Sequence, residues 1–190
     1  MAPASPLPES LAALDPAAIA ALAEGQGLPP VELWSPPACG DSAMRILADG
    51  QWLHEGAPIT RPALVRLFST ILRGEPDGGF VLVTPVERLR IAVDDAPFVA
   101  VEMRSDGEGP ARRLSFRTNV GDVVVAGAAH PLRVGARPYV RVRGRLDALI
   151  ARPVFYELAS LALAEPPAAD GRIGLWSDGV FFPFDGPDAA

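Results

Sequence analysis

The sequence predicts an α+β protein in two parts that reuse a strand-to-helix motif, the C-terminal part being a bent antiparallel sheet or small barrel closed by a helix. Three observations point there. Residues 57–68, "APITRPALVRLF", and residues 148–159, "ALIARPVFYELA", both write Ile-x-Arg-Pro ahead of apolar residues at helical period. From residue 86 the apolar period becomes two, and Gly, Asn, Asp or Pro recurs at short intervals, as in a series of short strands. The tail, "LWSDGVFFPF", echoes Leu33-Trp34-Ser35 and the Asp49-Gly50 pair ahead of Trp52. With the 91-residue spacing of the two helix starts, these echoes suggest internal duplication. The expected division is an N-terminal α+β domain over 1–84 and a C-terminal domain over 85–190.

Taken in order, residues 9–24 read as an amphipathic, alanine-rich helix, and "GQGLPPVELWSPPACGD" as a proline-rich connector. "MRILADGQWLHEGAPI" reads as a hairpin that turns at Asp49-Gly50. Pro62 opens the next helix, where its missing N–H costs nothing. Leu64, Leu67, Phe68 and Ile71 supply that helix with a buried face, Gly74 stops it, and "EPDGG" turns the chain into "FVLVTP". "VERLRIAV" places Leu89, Ile91 and Val93 on one strand face and Arg88 and Arg90 on the other. "DDAP" is a turn, and "FVAVEMR", "RLSFRT", "DVVVAG", "HPLRV" and "PYVRVRG" continue the strand series. A helix over 152–164 closes it.

Composition restricts the chemistry. With 49% hydrophobic and 21% charged residues the chain is an ordinary globular one, and no apolar run suits a membrane helix. The N-terminus lacks a basic region, and Glu9 and Asp15 interrupt its apolar residues, so it does not read as a signal peptide. A cytoplasmic protein is the simplest reading. Cys39 is the only cysteine, which excludes an intrachain disulfide and a cysteine metal cluster. The net charge of −6 argues against nucleic acid as a partner. Residues 86–152 nevertheless hold 12 arginines against eight acids, a locally basic stretch that suits a small anionic ligand. All 17 basic residues are arginine, so no Schiff-base or phosphate-loop lysine is available. Any anion must be held by guanidinium groups, hydroxyls or backbone N–H groups.

Arg61 and Arg152 each precede proline, which pushes them toward extended backbone at the N-cap of a helix. Arginine accepts no hydrogen bond there and faces the positive end of the helix dipole, at a cost of about 0.3–1 kcal/mol. Either an ion pair with Glu87, Asp94 or Asp95 offsets this, or an anion is held by the helix start and the guanidinium together. Arg141, Arg143 and Arg145 alternate along one strand face, and Arg117 and Asn119 alternate near a turn. Trp52 and Tyr156 are available for stacking. Asp94 and Asp95 are consecutive, so on a strand they point to opposite faces and do not form a catalytic pair. His54 and His130 lack metal-ligand spacing, and no nucleophile is paired with a base.

The strings "PPACGD", "MRILADGQWLHEGAPITRPALVRLF", "LVTPVERLRIAVDDAPFVAVEM", "LSFRTNVGD", "RPYVRVRGRLDALIARPVFYEL" and "LWSDGVFFPF" resemble, in order, the bacterial family known as domain of unknown function 1285. The resemblance runs from Trp34 to Phe184 and implies a duplicated strand-and-helix core. It also implies a C-terminal part similar to a pleckstrin-homology-like fold and a ligand cleft between the parts, for a nucleotide-like molecule, in a signalling role. It implies no enzymatic activity, cofactor or metal.

Three functions are in play. The first is a non-catalytic protein binding a small anionic or nucleotide-like ligand through Arg61, Arg152, Arg117 and Arg141, with Trp52 or Tyr156 stacking. The second is a protein-interaction module using the bent sheet or its edge. The third is a hydrolase or transferase with an unfamiliar site around Glu87, Asp94, Asp95 and His130.

Overall fold

Alternating side chains and frequent turn residues build, among the described residues, two six-stranded sheets and a closing hairpin, with three α-helices packed against them. The structure is a computed structural model and describes residues 10, 11, 14–24 and 27–184. The first sheet holds β1 (Ala38–Ile46), β2 (Trp52–His54), β3 (Ala57–Pro58), β4 (Leu72–Gly74), β5 (Phe80–Val83) and β6 (Glu87–Val93). The second holds β7 (Phe98–Asp106), β8 (Arg113–Thr118), β9 (Val123–Val125), β10 (Leu132–Arg133), β11 (Tyr139–Arg143) and β12 (Leu146–Ile150). A separate hairpin, β13 (Gly174–Ser177) with β14 (Val180–Pro183), follows helix α3 (Arg152–Ala164). The sheets part between Val93 and Phe98 rather than at residue 84. The alternating "VERLRIAV" segment, expected to open the second part, is instead the central strand β6 of the first.

Both sheets follow one scheme. Two antiparallel three-strand meanders meet through their first and last strands, which lie parallel: β1 beside β6, and β7 beside β12. The parallel β7–β12 pair departs from the wholly antiparallel sheet expected of the C-terminal part; local turn signals reveal hairpins but not which distant strands become neighbours. One of the sheets curls into a half-barrel. The repeated Ile-x-Arg-Pro phrase does not mark equivalent places in the scheme. Helix α2 (Pro62–Thr70) joins the two meanders of the first sheet, whereas α3 leaves the last strand of the second.

The helices differ from expectation in instructive ways. Helix α1 spans Pro16–Glu24, opened by Pro16 with Asp15 accepting the Ala18 amide at 2.7 Å; residues 9, 12 and 13 of the expected 9–24 helix lie outside the described residues. Helix α2 ends at Thr70, and Gly74 lies in edge strand β4. A Cβ on Gly74 would fall 2.8 Å from the Arg145 Cβ, so this glycine is required by close approach of the two parts. The buried side of α2 is formed by Val65, Phe68, Ser69 and Ile71, while Leu64 and Leu67 face outward. The Arg141, Arg143 and Arg145 stripe is interrupted: a register shift lies between Arg141 and Arg143, which pair with Asp147 and Asp122 respectively, and Arg145 has left the strand.

A single apolar core unites the two parts. It runs from Ile46, Trp52 and Leu72 in the first sheet to Phe98, Phe116 and Val140 in the second, and on to Val154 and Leu158 of α3. A smaller cluster of Leu11, Ile19 and Val123 docks the N-terminal segment onto β9.

Candidate functional site

Where α2 and the β1–β2 turn meet the end of β8, a cleft of about 440 Å³ opens between the two parts. Trp52 lines it from β2. The ring is buried, stacked on Phe68 of α2 at 6.5 Å between centroids and 15° between planes. Its indole Nε1 is buried and has no hydrogen-bond partner among the described residues. Orphaned buried N–H groups are uncommon, since each one forfeits its hydration. Ile59, Val65 and Val120 add apolar wall, and Thr60, Arg66, Arg117 and Asn119 add donors.

Asn119 closes one end by bridging the parts. Its Nδ2 donates to the Gly50 carbonyl at 3.2 Å, and its Oδ1 accepts the Val99 amide at 3.0 Å. Gly50 takes φ +86° in the Asp49-Gly50 turn, and a Cβ there would lie 2.5 Å from the Asn119 Nδ2. The turn residue foreseen for the hairpin is thus also a contact between the parts.

The cleft arginines are held by carboxylates behind the wall. Arg66 Nη1 donates to the Val120 carbonyl at 2.8 Å and pairs with Asp122. Asp122 is fully buried and also pairs with Arg143 at 2.5 Å. Arg143 in turn donates to the Ser69 carbonyl on α2 and lies 5.0 Å over the Phe98 ring. One buried carboxylate therefore joins α2 to the second part. Arg117 Nε donates to Glu102 Oε2 at 2.7 Å. The other oxygen of Glu102 accepts the Ser10 hydroxyl at 2.5 Å and the Leu11 amide at 2.7 Å.

Of the residues singled out from sequence, Trp52 and Arg117 line this cleft. Arg61 is the N-cap of α2, as expected, with φ −94° and ψ 107°; Thr60 and Pro62 on either side of it line the cleft, while its own side chain is exposed. Arg152 is the first residue of α3 rather than its N-cap, a position Ala151 takes. Arg152 and Tyr156 are exposed and do not line the cleft. Arg141 pairs with Asp147 and donates to the Gly144 carbonyl at 2.9 Å. Two of the three carboxylates weighed as partners for the helix-start arginines, Asp94 and Asp95, are engaged elsewhere. Asp94 accepts Arg45 Nε at 2.6 Å, and Asp95 takes Arg137 at 2.8 Å and the Tyr139 hydroxyl at 2.7 Å. Both lie in the bend after β6, the turn expected of "DDAP", and their carboxylates serve opposite parts of the molecule. His130 Nδ1 faces the Arg141 carbonyl at 3.2 Å. Among the described residues no group of His, Cys, Asp or Glu is placed to hold a metal, and no helix is long and apolar enough to cross a membrane.

Reasoning from sequence missed Arg66 and Asp122. The available signal was the turn "TNVGD", where Gly121 at φ +87° folds the chain so that Asp122 is directed inward beneath Val120.

Comparison with known proteins agrees with this two-part construction. A DUF1285 family protein from Silicibacter pomeroyi DSS-3 is 49% identical, with a TM-score of 0.76 over 88% of this chain and 92% of that one. A DUF1285 family protein from Shewanella baltica OS155 is 23% identical and shares the fold, with a TM-score of 0.52 over 63% of this chain and 91% of that one. None of the curated proteins compared matches the chain. The family models for the N-terminal domain of the domain of unknown function DUF1285 and for the C-terminal domain of the protein of unknown function DUF1285 match residues 29–96 and 97–184. The chain belongs to the DUF1285 family.

Proposed function

We propose that this protein is a non-catalytic binder of a small anionic ligand, taken up in the cleft between its two parts, and that it serves as a sensor or adaptor. One observation carries the reading: a cleft of ligand size is walled by both parts and presents a buried aromatic ring beside convergent donors. A ligand touching β2, α2 and the β8 turn at once would bias how the two parts sit together, which is what a sensor requires. The nucleotide implied by the family resemblance is one candidate. We also read the second sheet with α3 as a pleckstrin-homology-like module, which superposition on such domains would test.

The test of binding is a thermal-shift and calorimetric screen covering nucleotides, cyclic dinucleotides and small organic acids, with Arg117→Ala and Ala63→Trp as cleft variants. Saturable binding that both variants weaken is expected. Binding untouched by either, or no binder at all, would sink the proposal. A second reading, a protein-interaction module, is favoured by the exposure of Leu64 and Leu67 at helical spacing on α2. A stoichiometric protein recovered by pull-down and lost on Leu67→Glu would favour it.

A further inference from the structure

We infer that the cleft selects an amphiphilic monoanion, a carboxylate carried on an apolar aliphatic or aryl body, over a nucleotide polyphosphate. This rests on the cleft being the binding site and narrows what it takes.

The first argument is charge. Among the described residues, two guanidinium groups line the cleft and no carboxylate or imidazole does. Both guanidiniums are already compensated from behind. Glu102 takes Arg117, and Asp122 takes Arg66 together with Arg143. The two clusters, Arg117 with Glu102 and Arg66 with Asp122 and Arg143, hold three arginines and two carboxylates between them, and the surplus of one positive charge lies in the Asp122 cluster. One added negative charge completes the balance. A triphosphate brings several, and the described residues of the wall supply neither a further cation to meet them nor a carboxylate to hold a divalent ion that would.

The second argument is the donor pattern. Arg117 spends its Nε on Glu102, and Arg66 spends Nη1 on Asp122 and Val120, which leaves terminal N–H groups of both without a carboxylate among the described residues. Two nearby guanidinium edges suit the two oxygens of one carboxylate. The third argument is the remainder of the wall. Trp52, Ile59, Pro62, Ala63 and Val65 form an apolar surface that would receive a hydrocarbon or aryl body, whereas a ribose would set its hydroxyls against it. The charged headgroup thus belongs at Arg66 and Arg117, with the apolar body along α2 and Trp52.

Isothermal titration calorimetry tests this with octanoate, phenylpropionate and indole-3-acetate, each beside its uncharged amide, and with AMP, ATP and cyclic di-GMP. The full chain is used throughout. At least one carboxylate is expected to bind at a single site about tenfold or more tighter than its amide, the size of one charge-assisted hydrogen bond. Arg117→Gln should weaken it by a similar factor, and Ala63→Trp, at an exposed position, should abolish it while the thermal melt stays intact. Nucleotides that bind tighter than every carboxylate, with the same dependence on the two variants, would overturn this inference and leave the cleft reading standing. An amide that binds as well as its acid would overturn the charge argument. No binding by either class, or binding indifferent to both variants, would overturn the cleft reading as well.

Discussion

Replacing Asp122 by alanine tests how the two parts are joined. The carboxylate is fully buried between Arg66 and Arg143, and Arg143 also reaches the Ser69 carbonyl of α2. Removing the acceptor leaves two guanidinium groups facing each other without an anion. Losing one partner of a buried ion pair costs about 3–5 kcal/mol. The Arg66 and Arg143 side chains retain 25% and 19% exposure, so water recovers part of that cost and places the loss near the lower limit, about 3 kcal/mol. For a chain of this length each kcal/mol moves the melting temperature by about 2–4 °C, so Asp122→Ala should melt about 6–12 °C lower. Differential scanning calorimetry of wild type and variant measures it directly. The triple variant Arg66→Met, Asp122→Leu, Arg143→Met should regain more than half of the loss, because apolar packing commonly replaces a buried ionic triad without penalty. A single-variant shift below about 2 °C would refute the claim that this node holds the parts together.

Gly50→Ala should destabilise by more than the roughly 1–2 kcal/mol of a left-handed backbone alone, because its Cβ also meets Asn119; urea denaturation measures it, and a neutral result would show that the β1–β2 turn can withdraw. Glu102→Gln should speed amide exchange in α1, since Ser10 and Leu11 hang on that carboxylate; unchanged protection by hydrogen-exchange mass spectrometry would count against Glu102 as the anchor. The Tyr139 hydroxyl is pushed above 10.0 by burial first, then by its hydrogen bond to Asp95 and the charge of that carboxylate. Its raised pKa favours the neutral folded form, so its contribution is complete below pH 10.0 and is lost as pH rises through the folded value. Ultraviolet titration of a Tyr156→Phe variant, in which Tyr139 is the remaining tyrosine, should show a midpoint above 10.0; a midpoint at or below it would contradict the burial.

Local features of the fold were legible because they depend on near neighbours. The Asp49-Gly50 hairpin, the Pro62 helix start and the helix over 152–164 all follow from turn chemistry and periodicity. The division at residue 84 failed because alternation identifies a strand without saying which sheet receives it; β6 pairs in parallel with β1, more than 40 residues earlier. The face of α2 was half right for a related reason. Phe68 and Ile71 pack on the core as expected, but Val65 satisfies helical periodicity as well as Leu64 and Leu67 do, and only the position of the sheet decides between them. At the site, Trp52 and Arg117 stood out as an aromatic in a hairpin and an arginine in a strand. Asp122 did not, because an aspartate after glycine reads as a surface turn until Arg66 and Arg143 arrive from distant segments.

That arrangement bears on how binding would be transmitted. The cleft arginines are not spare cations awaiting an anion, since each already holds a structural partner. Arg66 reaches Asp122 and through it the junction of the two parts; Arg117 reaches Glu102 and through it the N-terminal segment. An anion seated on the open N–H groups of either guanidinium shares it with a carboxylate that is anchoring something else. Its binding free energy is then divided between holding the ligand and loosening an internal contact, so the cleft should bind modestly and signal through what it loosens. A site with uncommitted arginines would bind more tightly and transmit nothing. Arg117 is where the two cases separate. If Arg117→Gln weakens ligand binding and also frees α1 to exchange, the guanidinium is shared between ligand and anchor, and the N-terminal segment is the element that responds.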